Sequence, residues 1–267
     1  GYISTPNLRK VKIAENDEEW FWNGNINDTI TSIFGKFIID YFCLNKLVIQ
    51  LFSQVTFGSF KHLKLSEHPE LKELWCGQLQ LHNAFRSLKY LVVHKCDFLS
   101  EALFRPNLLE VLRNLEELDV KDCNSLQAVF DFEGEFGKEI DLVKNSTQLK
   151  KLKLSNLPKL KHVWKEDPHT TMRFQSLSEV FVEECKSLLR IFPLSVARDM
   201  MKLQILELRD CGIEEIVGKD EITEVVEIVK FVYPHLTFII LTDLTKLKAF
   251  FLGVHSLECK SLKMIDM

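Results

Sequence analysis

Leu149-Lys150-Lys151-Leu152-Lys153-Leu154-Ser155-Asn156-Leu157-Pro158-Lys159-Leu160-Lys161-His162-Val163-Trp164 holds in one span a pattern that recurs along the chain. Its frame is L-x-x-L-x-L-x-x-C/L-x-x-L-x-x-Ω-Ω, with Ω large and apolar. Leu115, Leu118 and Val120 repeat it, followed by Cys123, Leu126, Val129 and Phe130. Leu177, Val180 and Val182 repeat it again, followed by Cys185, Leu188, Ile191 and Phe192. A fourth copy runs from Leu203, Leu206 and Leu208 to Cys211, Ile213, Ile216 and Val217. Weaker copies start at Leu8, Phe60, Leu88 and Leu236, and a shortened one at Leu262. From Phe60 to Leu262 the starts lie 28, 27, 34, 28, 26, 33 and 26 residues apart. Most of these fall in the range of roughly 20–29 residues of leucine-rich repeats.

The spacing dictates the architecture. L-x-x-L-x-L ends in strict alternation, so Leu118 and Val120 face one way and Asp119 the other. A single such strand cannot bury its apolar face, but stacked copies build a parallel sheet over a continuous core. The expected fold is α/β: a leucine-rich-repeat solenoid, or horseshoe, with a concave parallel sheet and an irregular or short-helical convex side. Residues 1–267 read as a single domain of about eight repeats plus a truncated one. Segments 106–113 and 194–201 read as short convex helices, the first with a proline near its start. The long intervals hold extra stretches at 131–145 and 219–232, each more acidic than basic, expected as surface loops or frayed helices.

One region breaks the phase. Leu8 to Phe60 is 52 residues, about two repeats, and Leu44-x-x-Leu47-x-Ile49 falls too close to Phe60 to be a full one. Segment 25–56 is therefore irregular: a convex helix, an irregular double repeat, or an insertion that weakens local packing.

Composition bounds the function. The chain is 46% hydrophobic and 27% charged, with net charge -4, so it lacks the basic excess of a nucleic-acid binder. The most apolar run, 37–44, contains Asp40 and is far too short for a membrane span. The opening residues lack an apolar leader. Seven cysteines without C-x-x-C spacing read as reduced thiols, which suits a cytoplasmic protein. Cys96, Cys123, Cys185 and Cys211 share one position of the repeat, where a thiol packs as a small apolar group and donates weakly to a turn. Phosphate-loop, dinucleotide, nucleophile-elbow and zinc-protease motifs are missing from the sequence. No enzyme activity, cofactor or metal is expected.

The outward strand positions are left as the place for function, because solenoids bind partners on their concave face. Candidate contacts are Lys61, Lys64 and Tyr90, then Lys150, Lys151 and Lys153, then Phe181, Ile205, Phe238 and Ile240. The acidic strand 116–119 precedes the basic one 150–153, so cross-strand pairing is the simplest role for the charges, each exposed pair being worth roughly 0.2–1 kcal/mol. The four apolar positions are harder to explain as solvated side chains and suggest either a binding interface or burial by a neighbouring domain.

The run Leu152-Lys-Leu-Ser-Asn-Leu-Pro-Lys-Leu-Lys-His-Val-Trp164 resembles the repeats of plant nucleotide-binding leucine-rich-repeat disease-resistance proteins. So do Leu118-Asp-Val-Lys-Asp-Cys-Asn-Ser-Leu126 and Ile191-Phe-Pro-Leu-Ser-Val-Ala197. Alternation of L-P-x-L with C-x-S-L repeats is similar to the coiled-coil subclass found in legumes. The resemblance implies protein partners, either a pathogen effector or a host target, and restraint of an upstream nucleotide-binding domain in cis. The switch domain's motifs are not in this chain, so no nucleotide-binding residue carries over. Other roles for such a solenoid are the substrate receptor of a ubiquitin ligase and a stand-alone or inactive receptor fragment.

Overall fold

In the computed structural model the described residues are 3–4, 10–12, 55–56, 61–66, 88–105, 112–132, 146–168, 172–218 and 228–267. The repeat frame becomes a nine-stranded, wholly parallel sheet in which strands follow one another in chain order. Its rungs are Lys10–Lys12, His62–Ser66, Tyr90–His94, Glu117–Lys121, Lys151–Ser155, Glu179–Glu183, Ile205–Arg209, Phe238–Thr242 and Met264–Asp266. Each repeat start has its strand. The register never slips: Leu91, Leu118, Leu152, Val180, Leu206 and Ile239 form one inward row. The inward side chains of the middle rungs, such as Leu118, Val120, Leu152 and Leu154, are essentially sealed from solvent.

The six rungs from Tyr90–His94 to Phe238–Thr242 are each followed by a residue in the left-handed backbone region: Lys95, Asp122, Asn156, Glu184, Asp210 and Asp243. That twist aims the amide at the next repeat. Asp122 N donates to Ser155 O at 3.1 Å and Asn156 N to Glu183 O at 3.0 Å, and Lys95, Glu184 and Asp210 donate to the next rung in the same way. Asp and Asn tolerate this conformation because their short side chains bond locally. Then comes the cysteine position. Cys96, Cys123, Cys185 and Cys211 are buried free thiols, each donating to the strand-end carbonyl two residues before it. Burial pushes the Cys123 thiol up to about 11, so it packs and does not react.

The convex side differs from the expectation. It carries short parallel strands, with Ala102–Phe104, Ala128–Phe130 and His162–Trp164 in one sheet and Arg190–Phe192, Glu215–Val217 and Ala249–Phe251 in another. The Ω-Ω pairs cause this. Return segments of nearly equal length bring the backbones of neighbouring repeats into register, and aromatic and β-branched side chains favour the extended form. Helix α1, Leu194–Asp199, is the short helix expected there. Its N-cap, Pro193, offers no side-chain bond, and Asp167 of the preceding repeat accepts from Ser195 N at 3.1 Å instead. Tyr233 of the next repeat donates its hydroxyl to Ala197 O at 2.9 Å.

One further expectation needs correction. Residues Val229–Val232, expected in a surface loop or frayed helix, form a strand paired with His255–Glu258, and Val229 and Phe231 are buried. Their alternation puts Phe231 against the rings of Phe250 and Phe251. Lys10–Lys12 pairs directly with His62–Ser66 in the sheet. Val55–Thr56 pairs with Ile3–Ser4. The rest of segment 25–56, the acidic stretches 133–145 and 219–227, and 106–111 of the other expected helix lie outside the described residues.

Candidate functional site: the concave face

The outward rows of the sheet bring the sequence candidates together in three zones. In the C-terminal zone Ile205, Phe238 and Met264 are register neighbours, and so are Phe181, Glu207 and Ile240. Phe181 stands diagonally across from Ile205, and Ile205 from Ile240, within reach of large side chains. The four apolar candidates thus lie side by side on neighbouring rungs, each half-buried. Met264, 43% exposed, extends the patch; it lies in the truncated copy and was missed in the sequence. Glu207 at the centre is held by Arg209, Nε to Oε1 at 2.6 Å.

The central zone is self-neutralised. Lys150 Nζ meets Glu116 at 2.7 Å, and Lys89 reaches the same carboxylate from the other side. Lys151 turns away from the acidic strand to Glu179, at 2.5 Å. Lys151 and Lys153 both sit over the ring of Phe181, at 5.1 and 6.0 Å from its centroid. Cross-strand pairing of 116–119 with 150–153 therefore holds for Lys150. Lys151 and Lys153 instead join the charged zone to the aromatic edge of the apolar one.

The N-terminal zone is basic and aromatic. His62 and Tyr90, register neighbours, stack with centroids 4.3 Å apart and rings 8° from parallel. Lys61 is exposed at the entry to its rung, Lys64 is half-buried, and Val92 is the register neighbour of Lys64.

At the far ends of the strands a polar chain crosses four repeats. Ser66 Oγ lies 3.4 Å from His94 Nδ1, His94 Nε2 lies 2.9 Å from Asp122, and Asn156 donates to Asp122 at 2.8 Å. The order serine, histidine, carboxylate resembles a hydrolytic triad on paper only. Ser66 is buried, its contact is long, and Asp122 is shared with an amide that ties it to the next rung. The Asn156 amide, then His94, hold the Asp122 carboxyl below its ordinary value. Among the described residues no group of three or more His, Cys, Asp or Glu is placed to hold a metal ion. Nor is any helix among them long and apolar enough to cross a membrane.

Glu116 gives a measurable consequence. Hydrogen bonds from Lys150, then Lys89, hold its carboxyl below the ordinary 4.5. A depressed acid stabilises the fold above its unfolded value, and the contribution is lost as pH falls through the folded value. Glu116→Gln is therefore expected to lower the unfolding free energy read from urea titration at pH 7, by no more than about 1 kcal/mol for so shallow a site. Well below pH 4 the two proteins should unfold alike. A difference that persists unchanged at pH 3 would assign the effect to packing.

With this geometry established, sequence comparison becomes specific. A model of the family described as plant disease resistance protein RPS2-like, leucine-rich repeats, matches residues 59–212. That is more than half of the 267 residues, and it covers six of the nine rungs, from His62–Ser66 to Ile205–Arg209. The chain belongs to this family. No curated protein and no solved structure matches it. As a resistance-protein repeat array it is a protein-interaction scaffold of plant defense, and the concave zones are where such a scaffold presents side chains.

Proposed function

We propose that this repeat array is the recognition surface of a cytoplasmic plant immune receptor of the coiled-coil subclass. It engages a pathogen effector or a modified host protein, and it restrains an upstream nucleotide-binding switch domain in cis until that engagement releases it. The observation that carries the reading is the apolar patch of Phe181, Ile205, Phe238 and Ile240. These side chains stand on the solvent face of a sheet whose other face already forms the core. Fold stability alone has no use for them there, and apolar groups clustered within a charged surround are the usual anchors of protein interfaces.

The test is a cell-death assay on the full-length gene product carrying Phe181→Ser, Ile205→Ser, Phe238→Ser and Ile240→Ser together. Each lost anchor removes on the order of 1 kcal/mol or more from an interface. The expected result is either a response to the effector that disappears or a response that no longer needs one. Wild-type behaviour in both respects, with the protein still accumulating, would remove the patch from recognition and from restraint.

A further inference from the structure

Away from the concave face, the turns after the rungs Glu179–Glu183 and Ile205–Arg209 bring two thiols together. Glu183 and Arg209 are register neighbours, so Cys185 and Cys211, each two residues further on, hold equivalent places on adjacent strands. Adjacent strands lie about 4.8 Å apart, within the roughly 4.4–6.8 Å between α-carbons that a disulfide spans. The backbones stay close past the strand ends, where Gly212 N donates to Cys185 O at 3.2 Å. Cys211 Sγ also leans toward its neighbour's repeat, lying 3.7 Å from Val182 O. The two thiols are hydrogen-bonded to each other.

The two cysteines are not equal. Cys211 is 4% exposed where Cys96, Cys123 and Cys185 are at 0%, and Gly212 beside it has no side chain to cover it. The hydrogen bond from the Cys185 thiol, working against burial, lowers the Cys211 thiol below its ordinary value. The same bond, with burial, raises Cys185 well above it. Cys211 is therefore the thiol that ionises and meets solvent. Cys123, pushed up to about 11 by burial, stays a packed thiol.

We propose that Cys185 and Cys211 are an oxidation site, joined by hydrogen peroxide into a reversible disulfide that staples the 179–183 rung to the 205–209 rung. The Cys211 thiolate attacks one peroxide oxygen and breaks the O–O bond. Its sulfur becomes a sulfenic acid, and the departing hydroxide takes up the thiol's proton as water. The Cys185 sulfur then attacks the Cys211 sulfur and breaks its S–O bond. Hydroxide leaves and takes up the Cys185 proton as a second water. Two thiols and one peroxide thus give one disulfide and two waters, with the two electrons passing to the peroxide. The stapled rungs carry Phe181 and Ile205, so oxidation stiffens the sheet where the apolar candidates stand.

The experiment treats the whole folded chain with hydrogen peroxide, unfolds it in iodoacetamide and maps its tryptic peptides without reduction. Cys185 and Cys211 fall in different peptides, 174–186 and 210–219. Expected is a linked pair of these two peptides, released by dithiothreitol, with Cys96 and Cys123 recovered alkylated. Hydrogen exchange in the 205–209 rung should slow at least tenfold on oxidation. Cys185→Ser should leave Cys211 as a sulfenic acid that dimedone captures, and Cys211→Ser should leave Cys185 unoxidised, both with unchanged circular dichroism. The wild-type map decides the matter even where a serine variant fails to fold. Cys211 oxidised to sulfinic acid without a link, either cysteine linked elsewhere, or both recovered alkylated overturns the disulfide. Dimedone capture of Cys185 in Cys211→Ser overturns the assignment of Cys211 as the attacking thiol.

Discussion

Gly212→Ala is expected to destabilise the protein by about 3 kcal/mol, near the top of what adding one methyl group does to a packed interior. The cause is backbone. A Cβ on Gly212 would run into the carbonyl oxygen of Lys186, stand 2.9 Å from its carbonyl carbon, and approach Leu188 O at 3.3 Å. The neighbouring turns show why the chain comes so close. In the C-x-S-L turns, Leu126 N returns to Cys123 O and Leu188 N to Cys185 O, closing a four-residue loop. The turn Cys211-Gly212-Ile213 is one residue shorter, and Gly212 N bonds across to Cys185 O of the repeat before it. Only a residue without a side chain allows that approach.

Gly218→Ala is the control. Its added Cβ meets atoms of the Arg190 side chain, which can swing into solvent, so a cost within about 0.5 kcal/mol is expected, as for most surface changes. Urea midpoints of the two variants decide the matter. Because repeats stabilise one another only through neighbours, Gly212→Ala should also loosen one side of the array preferentially. Hydrogen exchange should then report faster opening of the 205–209 and 238–242 rungs than of the 117–121 rung. Equal midpoints for the two glycine variants would show that the crossing at Lys186 relaxes freely.

Gly212 also marks how far a sequence can be read. The rungs were legible because every one obeys the same two-residue alternation, and alternation has only one way to bury leucines. The cysteine position was legible because its spacing from the rung is constant. What the spacing could not carry was contact between repeats. The one-residue shortening at Cys211 is visible as letters, but the carbonyl of Lys186 that fills the missing space is 26 residues away. The convex strands were missed for the same reason: three residues show no periodicity, and their extended form comes from the partner in the next repeat. Val229–Val232 reads as loop or frayed helix because a four-residue alternation is too short to stand out beside acidic neighbours.

The concave face was legible as a set of outward positions, not as a surface. Phe181, Ile205, Phe238 and Ile240 follow from alternation alone, but their contiguity required the register. Lys153 looked like a partner for Asp119, its register neighbour. Its ammonium lies over Phe181 instead, a choice between a carboxylate and a ring face that no spacing rule resolves. The ion pairs of this face contribute little to stability, which leaves their side chains free to be chosen for recognition.

Phe130→Ala should cost about 3–5 kcal/mol, the range for truncating a fully buried aromatic. Phe130 is sealed from solvent, and its ring lies 5.6 Å from Phe104, 5.4 Å from Trp164 and 5.4 Å from Phe174. Trp164 in turn reaches Phe192 at 5.8 Å, so Phe104, Phe130, Trp164 and Phe192 form a spine through four consecutive repeats. Removing Phe130 leaves a cavity in the middle of that spine and deletes three ring contacts at once, each worth about 0.5–1.5 kcal/mol beyond area burial. Phe130→Leu, which keeps most of the volume, should cost less than half as much. A compact domain would spread the damage, but a solenoid concentrates it at one interface between repeats. The expected signature is therefore loss of a single unfolding transition: the rungs on either side of 117–121 should unfold at different urea concentrations. If Phe130→Ala shifts one sharp transition by under about 1 kcal/mol, the spine is not what couples the repeats, and the inward rows of the concave sheet carry the coupling alone.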